Sequence, residues 1–320
     1  MKTTLKRLGA LLLCAATGAA LAQSFPSKPI RIVSPYAAGG NMEHWRPTFE
    51  RAGQLLGQPI LMEYRPGAGG MTGTDYVAKS PPDGYTLVIT TMSAMTINPN
   101  IYAKVPYDSL KDFTPVMQVA ALPNVAVVPA SLPVTSLGEF VAYTKANPGK
   151  VNYASPGNGT SAHLIAELFK QITGADMQHV AYKGSAPAIV DLLAGRVSIT
   201  IDNIPLQLPH IRAGALRALA VTSDKRASVL PDVPTLAEAG VPVTVSSWYA
   251  IYGPAGMPKD ATTKLNAALN AALINPEIRD RLLGQGWLLA GGSPEALGAL
   301  TKSEMERWGK VAKGAGIRLE

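Results

Sequence analysis

The chain has one cysteine in 320 residues, Cys14, and it lies inside the apolar N-terminal stretch Leu8–Ala20. Past that stretch a disulfide framework, a thiolate nucleophile and a cysteine metal site are all excluded. Histidine is nearly as scarce, and His44, His163, His179 and His210 keep no metal-ligand spacing, so no metal site and no cofactor are expected. Aromatic residues make up 6% and no Lys/Arg run exceeds two, so the chain has no nucleic-acid footprint. After the N-terminus there is no run of about 20 apolar residues, so no membrane span is expected. Also missing are a G-x-S-x-G elbow, a Ser-x-x-Lys pair, a His-Glu-x-x-His helix and a P-loop lysine. The motifs that announce a hydrolase, a metalloprotease or a nucleotide-hydrolysing enzyme are therefore absent.

Among what is present, the N-terminus is the plainest. Lys2, Lys6 and Arg7 precede Leu8–Ala20, and Ala20-Leu21-Ala22 is an A-x-A cleavage site. Residues 1–22 are read as a secretory signal, with Gln23 the first mature residue and a periplasmic destination. Leu13 stands where a lipoprotein site needs a small residue. The remaining chain carries (29 − 3) − 22 = +4 charges, a mild positive balance that suits an acidic ligand. Its roughly 300 residues are too many for one ordinary core and predict two domains.

Two series of strands and helices follow. Ile30–Ser34, Ile60–Tyr64 and Thr86–Thr90 read as strands, with helices at Trp45–Leu56 and Thr72–Ala78 between them. A new apolar strand begins around Val125–Val128. A helix at Ser136–Ala146 follows, with Ser136 and Glu139 as a capping box. Strands at Val151–Ala154, Met177–Tyr182, Ser198–Asp202 and Ala215–Val221 then alternate with helices at Ser161–Thr173, Ala186–Leu193 and Pro205–Ala213. Trp248–Tyr252 is a further strand, and helices at Ala261–Ile274, Glu277–Gln285 and Pro294–Ala315 close the chain. These last helices hold no core of their own and are expected to pack on the first unit. The predicted division is 23–123 plus 248–320 for one lobe and 124–247 for the other. The chain then crosses between lobes twice, which makes a hinge.

Each half contains a strand, a turn of small residues and a helix start: Ile30 to Gly40 and Val151 to Ser161. Free N–H groups and the positive end of a helix dipole meet at such a junction and favour an anion. Two junctions facing across a cleft would hold a small acid from both sides. Gly157, Gly159 and Ala162 also fit G-x-G-x-x-A, but the acidic residue that a dinucleotide site needs at the end of the next strand is Tyr182.

Three longer blocks carry a family resemblance: Pro81-Pro82-Asp83-Gly84-Tyr85-Thr86-Leu87, Val180 to Pro187, and Leu230 to Gly240. Through them the chain resembles the TctC or Bug family of periplasmic solute receptors, which serve tripartite tricarboxylate-type transporters. The resemblance implies an α/β, two-lobed periplasmic-binding-protein fold of the Venus flytrap, type II-like kind, with one small carboxylate in the interlobe cleft. It also implies membrane transporter subunits or a sensor as partners, and a monomer that is not an enzyme. A secreted α/β hydrolase or lyase acting on a small acid is the alternative.

Carried over by position, the first-lobe site is Tyr36, Ala38, Gly39, Gly40 and Glu43. The second-lobe site is Ser155, Gly159, Thr160, Ser161 and His163, with Tyr182, Gly184, Ser185 and Asp202 lining the same cleft. The chain departs from the family pattern in the first lobe. Ala38 replaces a proline, Glu43 an aspartate and Tyr64 an asparagine, and His44-Trp45-Arg46 stand where small and aliphatic residues are usual. Glu43 beside an anion cradle would repel a second acid group and accept an ammonium or hydroxyl; equally, it is a helix-start residue favoured by the dipole. Thr160 and Ser161 are caps or ligand donors, His163 a ligand contact or a packed histidine, and Trp45 core.

Overall fold

A computed structural model describes residues 25–315 and 318. The proposed signal at 1–22 lies outside the described residues. Ten strands form one continuous sheet in the order β2-β1-β3-β9-β4-β7-β5-β6, with β8 and β10 also paired to β4. β1 (Ile30–Ser34), β2 (Ile60–Tyr64) and β3 (Thr86–Thr91) are parallel, as are β5 (Asn152–Ser155), β6 (Gln178–Ala181) and β7 (Ile199–Asn203). Parallel strands need helical crossovers, and these supply the covering layers.

β4 (Phe113–Pro129) and β9 (Ser246–Pro254) join the two halves. β4 pairs antiparallel with β9 from Phe113 to Pro123. From Asn124 onward it pairs with β7 on one edge and β8 (Leu216–Val221) on the other. One strand thus serves both halves and changes partners between Pro123 and Asn124. The sequence predicted this strand only from about Val125. Its first half was hidden because Pro115 and Pro123 look like breakers. Pro115 borders a register shift, and Pro123 closes the β9 ladder, places where a missing N–H is tolerated. β10 (Leu288–Gly291) was also unforeseen, being four residues bounded by glycine. A π-helical turn at Ser93–Ile97, straight after β3, is the third unpredicted element.

The closing helices Lys259–Leu273, Pro276–Gly284 and Pro294–Ala315 do pack back on the first half. Lys259–Leu273 lies against the helix Arg46–Leu56, and Pro294–Ala315 covers β4 and the π turn. Trp45, fully buried, meets Trp287 edge-on at 4.7 Å, and Trp287 meets Tyr249 of β9 at 5.1 Å. His44 Nδ1 lies 2.9 Å from Gln285 Oε1. The unusual His44-Trp45 pair therefore ties the first-lobe loop to the end of the chain. Trp287→Ala should cost about 3–5 kcal/mol, because the hole lies between rigid aromatic rings. Urea unfolding checks this, and a loss below about 1 kcal/mol contradicts it.

Candidate binding site

In the second half, β5, β6 and β7 all end at the same edge, and a helix begins just beyond each. These are Ser161–Thr173, Ser185–Leu193 and Ile204–Arg212. Thr160 caps the first by accepting from His163 N–H at 3.4 Å. No side chain caps the other two, which begin after Gly184 and Asn203. Their first-turn N–H groups and dipoles point toward the other half.

That half contributes the loop after β1, which runs through Tyr36 into a short 3₁₀ turn at Asn41–Trp45, together with the end of β3 and the π turn. Between the halves lies a small cavity of about 40 Å³. Tyr36, Gly40, Asn41, Met42, Thr91, Met92, Ser93, Ser247 and Tyr249 line it from one side. Pro156, Thr160, Ser161, Ser185, Asp202 and Asn203 line it from the other. No Lys, Arg or His is among these residues.

Hydroxyls and amides link the two sides. Ser161 N–H donates to Ser93 Oγ at 2.8 Å, and Ser247 Oγ donates to Ser161 Oγ at 2.9 Å. Tyr249 donates to Asn203 Oδ1 at 2.5 Å and Ala37 N–H to the Lys183 carbonyl at 3.2 Å, while within the second half Asn203 Nδ2 donates to Asn124 Oδ1 at 2.6 Å. Tyr36 Oη lies 3.0 Å from Thr91 Oγ1, and burial pushes its pKa up to about 12. Burial likewise holds Tyr249 well above its ordinary value, so both phenols remain protonated. Burial raises Asp202, against the hydrogen bonds of Ser185 and Asn203 N–H. Asn41 Oδ1, on the wall, has no protein partner.

Of the residues singled out in the sequence, Tyr36, Gly40, Thr160, Ser161, Ser185 and Asp202 lie on the cavity wall. The others stand off it. Ala38 and Gly39 form the exposed tip of the loop. Gly184 presses on Ala37, where a Cβ would come 3.4 Å from its nitrogen. Tyr182 lines a neighbouring cleft and donates to Asp191 at 2.7 Å. Ser155 and His163 sit behind the loop that joins β5 to its helix. Ser155 Oγ lies 2.6 Å from His179 Nε2, and His163 Nδ1 accepts from Gly159 N–H at 3.1 Å.

Glu43 points away from the cavity. It accepts from Tyr64 by a short hydrogen bond and from Arg46 at 3.0 Å, while Arg46 also donates to Tyr64 at 2.6 Å. Burial pushes the Glu43 carboxyl up, but Tyr64, Arg46 and the Gly39 N–H outweigh it and hold the pKa below the usual value. Three of the departures from the family pattern are thus one hydrogen-bonded cluster.

Two of the glycines serve the contact between the halves. A Cβ on Gly159 would collide with Asn98 Oδ1 and come within 2.7 Å of Tyr102, both in the other half. A Cβ on Gly69 would collide with the Asn158 carbonyl. Both glycines have positive φ, and both let the two halves touch.

The wall residues that the sequence reading did not name individually fall into three groups. Thr91, Met92, Ser93, Pro156 and Asn203 end β3 and β7 or follow β3 and β5, so strand-end position was an available signal. Asn41 and Met42 follow the glycine pair directly. Ser247 and Tyr249 sit within an antiparallel strand, where nothing local marks them.

A sheet shared between two halves, with helix N-termini facing a cavity between them, defines a two-lobed solute-binding protein. The profile of the tripartite tricarboxylate transporter family receptor matches residues 45–317. Protein BugT of Bordetella pertussis is 38% identical over 302 residues, 93% of each chain. Rpa4515 of R. palustris, solved with adipate, superposes with a TM-score of 0.88 at 39% identity, over 92% of this chain and 99% of its own. MatC (Rpa3494) of Rhodopseudomonas palustris, solved with bound malate, gives 0.86 at 32% identity, over 90% and 99%. The chain belongs to the TctC/Bug family of tripartite tricarboxylate transporter receptors, as the sequence blocks had indicated.

Behind the second-lobe loop, His163 and His179 stack at 4.1 Å and 8°, and Tyr153 stacks on His179 at 4.7 Å. Burial lowers the pKa of both imidazoles, and the neighbouring His163 helps bring His179 down to about 4. An unfolded histidine takes up its proton near pH 6.5. Stability from this stack is therefore complete above about pH 6.5 and is lost as pH falls toward 4. Between those values the unfolding free energy from urea titration should drop by on the order of 2 kcal/mol more in the wild type than in His179→Gln. Parallel profiles for the two proteins would contradict it.

Proposed function

We infer that this chain is a periplasmic receptor that captures one small carboxylate and presents it, unchanged, to the membrane subunits of a tripartite tricarboxylate-type transporter. One observation carries the reading. Three helix N-termini and a ring of hydroxyls and amides face a cavity between the halves whose wall has no basic side chain. Such a site compensates an acid through main-chain dipoles and neutral donors. Relatives solved with adipate and malate support an acid guest. The small free volume favours a short, flexible acid over a bulky ring.

The partner change in β4 supports the proposed boundary between 123 and 124, whereas β9 already pairs with the first half at Ser246 and Ser247, just before the proposed return at 248. Two strands that run between them, β4 and β9, suit a hinge that opens to admit the guest. No helix among the described residues is long and apolar enough to cross a membrane, and no cluster among them could hold a metal ion. The residues before Gln23 direct the chain to the periplasm, where it serves as a carrier and not as a catalyst.

Isothermal titration of residues 23–320 with malate, adipate and other dicarboxylates should give one site per chain, with the acid recovered intact. Product formation, or no binding by any acid, would overturn the reading. Gly159→Ala should weaken binding at least tenfold, by about 1.4 kcal/mol or more, because the added methyl meets Asn98 and Tyr102 and holds the lobes apart. Wild-type affinity in that variant would remove closure from the account.

A further inference from the structure

Asp202 ends β7 on the cavity wall and is only 4% exposed. Its carboxyl is met by the Ser185 hydroxyl and the Asn203 N–H, both neutral. The groups that face it from each packed element are few. Val125 of β4 stands opposite in the ladder. Tyr36 and Tyr249 are the phenols nearest its field, and both stay protonated. Lys183, just before the helix Ser185–Leu193, lines the neighbouring cleft. Asp191 on that helix is taken by Tyr182 and Arg196. His210 and Arg212 lie in the last turn of the helix Ile204–Arg212, at the end away from Asp202. His163 and His179 are bonded to the back of the loop after β5. Among the described residues no Lys, Arg or His lines the cavity with Asp202, and burial raises its pKa.

A guest acid brings a second carboxylate into the same dry space. Two carboxylates without a counter-cation cannot both stay ionised at close range; one proton is shared. Resting on the carboxylate reading above, we propose that the receptor binds its acid together with one proton, held between Asp202 and a carboxyl oxygen of the guest. Only a proton moves, from a buffer acid to the Asp202 carboxylate, and the guest's own bonds are unchanged. In the opened lobes water reaches Asp202 and ionises it. On closure a proton from buffer joins Asp202, which donates a hydrogen bond to the guest carboxylate. Asp202 then selects guests that present a carboxyl on that side, and a guest methyl or amide there binds poorly.

Calorimetry with malate and adipate, repeated in buffers of different ionisation enthalpy, reads the proton directly. Uptake should approach one proton per guest near neutral pH, and Kd should rise toward about tenfold per pH unit above it. Asp202→Asn, which fixes the side chain in its neutral form, should flatten that slope, whereas His179→Gln should keep it. Binding by the wild type with uptake below about 0.2 proton overturns this proposal and leaves the carboxylate reading standing. A slope that survives in Asp202→Asn, or vanishes in His179→Gln, also overturns it by moving the proton to the histidine stack. Failure of both acids to bind overturns the carboxylate reading and this proposal with it. The wild-type measurement decides the matter even if the Asp202 variant does not fold.

Discussion

The direction of the parallel strands is the constraint from which the site follows. β5, β6 and β7 run the same way, so their helices all begin at one edge of the sheet and aim their positive ends at one cavity. Each helix N-terminus behaves as roughly half a positive charge. Three of them offer an acid guest more compensation than one lysine, and a partial charge costs less to desolvate on closure than a full ammonium. A charge-assisted hydrogen bond is worth about 1.5–3 kcal/mol net, and micromolar affinity needs about 8 kcal/mol. A handful of such bonds covers that. The wall's lack of Lys and Arg is therefore consistent with tight binding of an acid.

Closure depends on a second set of residues, and these are not the ones that would touch the guest. Gly69 and Gly159 leave no room for a Cβ because the opposing lobe fills the space. Ser93, Ser161, Ser247, Asn203 and Tyr249 then bond across the seam. Tyr249 serves both needs. Its ring packs on Trp287 in the first-lobe core and its hydroxyl reaches Asn203. Stability of the first lobe and geometry of the cavity are thus set partly by the same side chain.

Much of this was legible in the sequence, and the rest was hidden for definite reasons. The junctions at Ile30–Gly40 and Val151–Ser161 could be read because strand, small-residue turn and helix are consecutive there. Tyr36, Gly40, Thr160 and Ser161 lie in those junctions, and they, like Ser185 and Asp202, were named as site residues through the resemblance to the family. Ser247 and Tyr249 could not be read, because an antiparallel strand far along the chain brings them to the cavity. Ser247 bonds Ser161 across 86 residues of sequence. Glu43 misled because adjacency to a glycine pair says nothing about direction. Its carboxylate turns to Tyr64 and Arg46, whose own departures from the family pattern were visible but not recognisable as its partners. The first half of β4 was lost to its prolines, which sit where a sheet tolerates them.

The most direct test of the central claim is a crystal structure of residues 23–320 with a dicarboxylate bound. The account predicts carboxylate oxygens about 2.7–3.1 Å from main-chain N–H groups at the starts of the helices Ser161–Thr173 and Ser185–Leu193. No basic side chain should touch the guest. A guest held by Lys183 or Arg46, or seated outside the cavity bounded by Tyr36, Ser161 and Asp202, would contradict it.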